Sequence, residues 1–95
     1  MSDPSGDRLI RFATSQYGPP HVVTLRTSFS GWQDLNAAAV WDGGGWQWQF
    51  AFDAYQPFEF KFVLDEAHWM SGPNQWMQSG EYQKFYGEWN VQFEA

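Results

Sequence analysis

At 95 residues the chain amounts to one domain, with no cysteine to cross-link it or to bind zinc as a thiolate. A net charge of −6, with five Lys plus Arg, leaves no cluster of cations for a nucleic-acid backbone or an anionic membrane. Aromatic residues make up 21% of the chain while Leu and Ile are scarce, so aromatics must build the core and some are left over.

Residues 1–7 are polar and rich in Ser, Asp, Pro and Gly; they read as a disordered arm ahead of a single domain over 8–95. This arm lacks the basic and apolar regions of a signal peptide, and no apolar run reaches the length of a membrane span. The expectation is a cytoplasmic protein if Met1 is native, or otherwise a fragment of a longer, secreted enzyme. Leu9 to Ala13 is a first strand, and Gly18-Pro19-Pro20 closes a turn. His21 to Thr27 is a second strand with Val23 and Leu25 inward and Thr24 and Arg26 outward. Ser28 to Asn36 is a loop carrying Trp32. Ala37 to Trp41 is too short for a helix and reads as a short strand before the Asp42–Gly45 turn.

The cleanest alternation follows. Trp46, Trp48, Phe50 and Phe52 share one face of their segment, with Gln47, Gln49 and Ala51 on the other. Phe58, Phe60, Phe62 and Leu64 share one face of the next, with Glu59, Lys61 and Val63 opposite. Period two of this kind marks half-buried antiparallel strands. Residues 67–70 add a short strand, 72–80 a loop, and Glu88 to Glu94 a closing strand with Trp89, Val91 and Phe93 inward. About seven short strands predict an all-β, immunoglobulin-like antiparallel β-sandwich.

Alternation assigns Trp46, Trp48 and Trp89 to the core. Trp32, Trp69 and Trp76 sit in or beside polar, Gly- and Pro-rich segments, where satellite packing and an exposed aromatic patch are both open readings. A patch of that kind suits a sugar. An indole covers the C–H face of a pyranose and removes apolar area from water, while polar side chains bond to the rim hydroxyls. Lys61, Asn74, Gln75, Gln78 and Gln83 are suitable polar partners.

Catalysis has less support. Glycoside hydrolysis needs two carboxylates across the scissile bond, one of them buried; none of the acids stands in an apolar setting with a partner, and Asp65-Glu66 reads as a solvated turn. His21 and His68 are too few for a metal site, although His68 beside Trp69 could reach a hydroxyl. Neither a nucleophile elbow nor a phosphate or dinucleotide loop occurs. The expectation is a binding domain with no catalytic residue, metal or cofactor.

Several short motifs appear in order: Phe29-Ser30-Gly31-Trp32, Trp46 opening a strand, Phe58-Glu59-Phe60-Lys61-Phe62, Trp69, and Gly72-Pro73-Asn74. This succession, over roughly residues 21–76, resembles the starch-binding modules of family 20 and their glycogen-binding relatives of family 48. The resemblance implies that Trp32 and Trp69 stack glucose rings and that Lys61 and Asn74 bond to sugar hydroxyls. It also implies an α-1,4-glucan or maltooligosaccharide partner. The domain would be a monomeric unit tethered to a glycoside hydrolase or branching enzyme, such as an amylase or pullulanase. Met70 departs from the acidic residue that family 20 carries after the second Trp. Trp76 would extend the platform; Trp41 and Tyr55 are open to a second site or to packing. The rival expectation is a sandwich that spaces or docks a catalytic domain without binding sugar.

Overall fold

The computed structural model describes residues 7–35, 39–53 and 55–94. Most of the expected arm, residues 1–6, lies outside them, and Asp7 already belongs to the first strand. Eight strands follow in chain order: β1 (Asp7–Ala13), β2 (Val23–Thr27), β3 (Val40–Trp41), β4 (Gly45–Ala51), β5 (Phe58–Leu64), β6 (His68–Trp69), β7 (Gln75–Met77) and β8 (Gln83–Gly87). One sheet runs β3-β4-β1-β8; the other runs β2-β5-β6, with β7 also on β5. All pairs are antiparallel except β1 with β8. This is the all-β, two-sheet architecture that the alternation predicts.

The two sheets meet through inward-facing side chains, of which those on β2, β4 and β5 are the ones alternation placed there. Ile10 and Phe12 of β1, Trp46 and Trp48 of β4, Val23 and Leu25 of β2, and Phe58, Phe60, Phe62 and Leu64 of β5 are buried together. Phe62 is the centre of the contact. Its ring lies 5.1 Å from Phe12 and 5.2 Å from Trp48, both near-parallel, and Tyr86 of β8 meets it edge-on at 5.6 Å. Large rings in offset and edge geometries gain beyond the area they bury, which is how a short chain poor in Leu and Ile fills its core.

Arg8 also faces inward and is 1% exposed. Its Nη2 donates to the carbonyls of Asp53 and Gln56, and the guanidinium lies 5.4 Å from the centroid of Phe58 and 5.7 Å from that of Phe52. Burial pushes its pKa down, against the opposing pull of Asp53 and Glu81. Arg8 thereby ties the β4–β5 connection to β1.

Three expectations need correction, and one strand, β8, falls outside every expected element. The segment 72–80 is not all loop: Gln75–Met77 adds to the edge of β5, with Met77 fully buried opposite Phe58. Gln83–Gly87, which carries no alternation strong enough to mark it, is β8. Of the expected strand over Ala37–Trp41, Val40–Trp41 is strand and Ala39 is not, while 37 and 38 lie outside the described residues. Finally, the chain does not close on a strand with Trp89 inward. Glu88–Asn90 is a 3-10 turn and Trp89 is 80% exposed. The cause is local. The Glu88 carboxylate accepts from the hydroxyls of Thr14 and Ser15 and from the Gln16 N–H, which pins the turn to the end of β1. A 3-10 turn breaks the period of two, so Val91 is buried while Trp89 is not.

Three carboxylates, Asp42, Asp65 and Glu88, have their pKa lowered by hydrogen bonds made in the fold. Two N–H groups of Arg11 and the Gly44 N–H hold Asp42 down to about 2; the Val22 N–H and His21 lower Asp65; Thr14 and Ser15 lower Glu88. A carboxylate whose folded pKa is depressed adds stability above its unfolded value, and that stability is lost as pH falls through the folded value. The melting temperature is therefore expected to be flat near neutrality and to fall on acidification, from the ordinary carboxylate range of 3.8 to 4.5 down to about 2. A melting temperature unchanged between about pH 5 and about pH 2.5 would remove these three contacts from the account of stability.

Candidate functional site

The candidate residues collect on the outer face of the second sheet, because β5 supplies its central row. Glu59, Lys61 and Val63 point away from the core formed by their neighbours Phe58, Phe60 and Phe62. The register then decides what stands beside them. Arg26 of β2 is directly opposite Lys61, Trp69 of β6 is opposite Val63, and Trp76 of β7 is opposite Glu59. From Glu59 to Val63 is four residues, so Trp76 and Trp69 stand about 13 Å apart along the strand, at roughly 3.3 Å per residue. Val63 faces outward yet is 0% exposed, so this face is covered by its own side chains.

Trp32 reaches the same face from the loop after β2. A 3-10 turn over Ser28–Ser30 ends in Gly31 at φ 69°, and Trp32 follows at φ 63°. Glycine adopts that left-handed conformation freely, whereas for an L-residue with a Cβ it costs about 1–2 kcal/mol. The Trp32 N–H bonds to the Thr27 carbonyl at 2.9 Å, which holds the unfavourable conformation in place. The result is an indole 6.5 Å from that of Trp69, with the ring planes at 61°.

Polar groups frame the pair. The Arg26 guanidinium lies 5.7 Å from the Trp69 ring centroid. Asn74, in the loop between β6 and β7, donates its Nδ2 to the Glu59 carboxylate at 3.1 Å. That bond uses one of the amide's two N–H donors and leaves its carbonyl as an acceptor. Trp76 is 46% exposed. All five expected residues, Trp32, Lys61, Trp69, Asn74 and Trp76, thus belong to one face of one sheet or to the loops at its border.

Other expectations resolve differently. Gln75 turns toward the core side, where its Oε1 accepts from the Tyr86 hydroxyl. His68 Nδ1 bonds to the Glu94 carbonyl rather than standing free beside Trp69. Trp41 packs on Gly18, where even a Cβ would come within 2.7 Å of its ring, and on Trp46. Tyr55 is exposed. Two members of the face, Arg26 and Glu59, were legible only as outward-facing. Their place beside Lys61, Trp76 and Asn74 depends on strand register, which no local pattern encodes.

No family model and no curated protein matches this chain. Among solved structures, it is similar to a Glycoside Hydrolase Family 15 glucoamylase from Hypocrea jecorina. The match has a TM-score of 0.55 and 15% identity over 86% of this chain. The chain corresponds to 17% of the glucoamylase's length. At that identity the likeness is one of fold.

Proposed function

We propose that this domain is a non-catalytic module that binds α-1,4-glucan such as starch, glycogen or maltooligosaccharide, on the outer face of the β2-β5-β6 sheet. The observation that carries the reading is the Trp32–Trp69 pair, two indoles 6.5 Å apart with planes inclined by 61°. Coplanar rings suit a flat chain, whereas inclined rings suit a ligand whose successive sugar faces turn. Each indole covers one pyranose face, and Lys61 and Asn74 supply donors to the rim hydroxyls. The order of motifs shared with starch-binding modules of families 20 and 48 supports the same reading, as does a fold shared with part of a glucoamylase. The module would belong to a larger α-glucan-active enzyme. A shallow, open site of this kind binds with micromolar to millimolar affinity, roughly −8 to −4 kcal/mol.

Tryptophan fluorescence during titration with maltoheptaose, β-cyclodextrin and cellohexaose tests this. The expected result is saturable quenching by the two α-glucans and a much weaker response to the flat β-glucan. Equal responses to maltoheptaose and cellohexaose would overturn the choice of ligand, and silence to all three would overturn sugar binding. Trp89, projecting from the far end of β8, favours a second use: docking this end against another part of a longer protein.

A further inference from the structure

We infer that the same face recognises glucan chains bearing a phosphate monoester, with Arg26 and Lys61 as the anion-binding pair; this rests on the glucan reading above. The observation is a juxtaposition of like charge that no ion pair among the described residues relieves. The chain has five cationic side chains. Arg11 is paired with Asp42, Lys84 with Glu81, and Arg8 is buried against carbonyls. The remaining two, Arg26 and Lys61, are direct cross-strand partners. Among the described residues neither forms an ion pair.

Directly opposed residues have Cβ atoms about 4.5–5.5 Å apart, and like charges there are destabilising. Both side chains are half-buried, which reduces the screening that water would provide. Eleven Asp plus Glu are present in the chain, so acids to neutralise them are not scarce. Yet Glu59, next on the same face, takes the Asn74 amide, and Asp34, whose backbone bridges to Arg26, is exposed and pairs with neither cation. A phosphate held between the two would relieve the repulsion with charge-assisted hydrogen bonds, which neutral hydroxyls cannot match. The guanidinium fork suits phosphate geometry, and its position over Trp69 sets the charge beside a stacked sugar ring. The net charge of −6 repels a dense polyanion, so the fit is to an isolated phosphate on an otherwise neutral chain.

Calorimetry with maltoheptaose 6-phosphate, the same sugar after phosphatase treatment, and inorganic phosphate tests this on the full chain and on Arg26→Gln and Lys61→Gln. The readout is the ratio of dissociation constants, neutral over phosphorylated, measured within each protein. The expected ratio in the parent chain is about five- to tenfold at low salt. It should shrink as salt rises and fall toward one in each variant, while inorganic phosphate alone binds far more weakly. A ratio of one with neutral sugar still bound would overturn this inference and leave the glucan reading intact. Failure to bind either sugar would overturn both. Inorganic phosphate binding as tightly as the phosphorylated sugar, or a ratio unchanged in both variants, would also overturn it. Should one variant fail to fold, the other and the salt dependence of the parent chain carry the same decision.

Discussion

Trp32→Ala combined with Trp69→Ala will abolish measurable maltoheptaose binding while the sandwich stays folded. Two indole faces shield roughly 120 Å² of apolar surface from water, worth about 3 kcal/mol at about 25 cal/mol per Å². That is a loss of about a hundredfold, enough to move a site of this kind out of reach. The fold should survive because neither residue belongs to the cluster around Phe62. Backbone strain at position 32 supplies a control. Trp32→Gly relieves the left-handed conformation that Trp32→Ala keeps, so the glycine variant should be the more stable by about 1 kcal/mol and bind equally poorly. Calorimetric titration with thermal melts of all variants reads both effects. Binding retained in the double variant would move the site elsewhere; melting lost with binding would make the pair structural.

Trp48→Ala will cost about 3–5 kcal/mol, the range for removing a large aromatic from a packed interior. Trp48 is 1% exposed and stacks on Phe62 at the point where the sheets meet. Against a typical stability of about 5–15 kcal/mol, such a loss leaves the domain marginal or unfolded. Trp89→Ala should shift stability by no more than about 0.5 kcal/mol, as other exposed positions do. Urea midpoints separate the two. If Trp89→Ala proved as damaging as Trp48→Ala, the 3-10 turn at Glu88–Asn90 would be the wrong account of that end.

The contrast between these tryptophans marks how far the sequence speaks. Strict alternation in β4 and β5 named Trp46, Trp48, Phe58, Phe60 and Phe62 as inward, because a strand buried on one face must repeat every two residues. The outward direction of Lys61 followed from the same rule. Trp89 escaped it because the Glu88 carboxylate anchors a 3-10 turn to residues 72 or more positions earlier in the chain, and period two does not survive that turn. β7 escaped because three residues, Gln75 to Met77, are too few to display a period. For the site, the individual residues were legible but their company was not. Arg26 stands beside Lys61, and Glu59 beside Trp76, through registers set by pairing between distant segments.

The central claim is that Trp32 and Trp69 form a glucan-stacking surface. Indole N–H signals of the nitrogen-labelled protein, followed through a maltoheptaose titration to about 10 mM, test it residue by residue, that limit lying beyond the weak end of the expected affinity. The account predicts saturable movement of the Trp32 and Trp69 signals, with the buried Trp48 signal stationary. Stationary Trp32 and Trp69 signals across that range would contradict it.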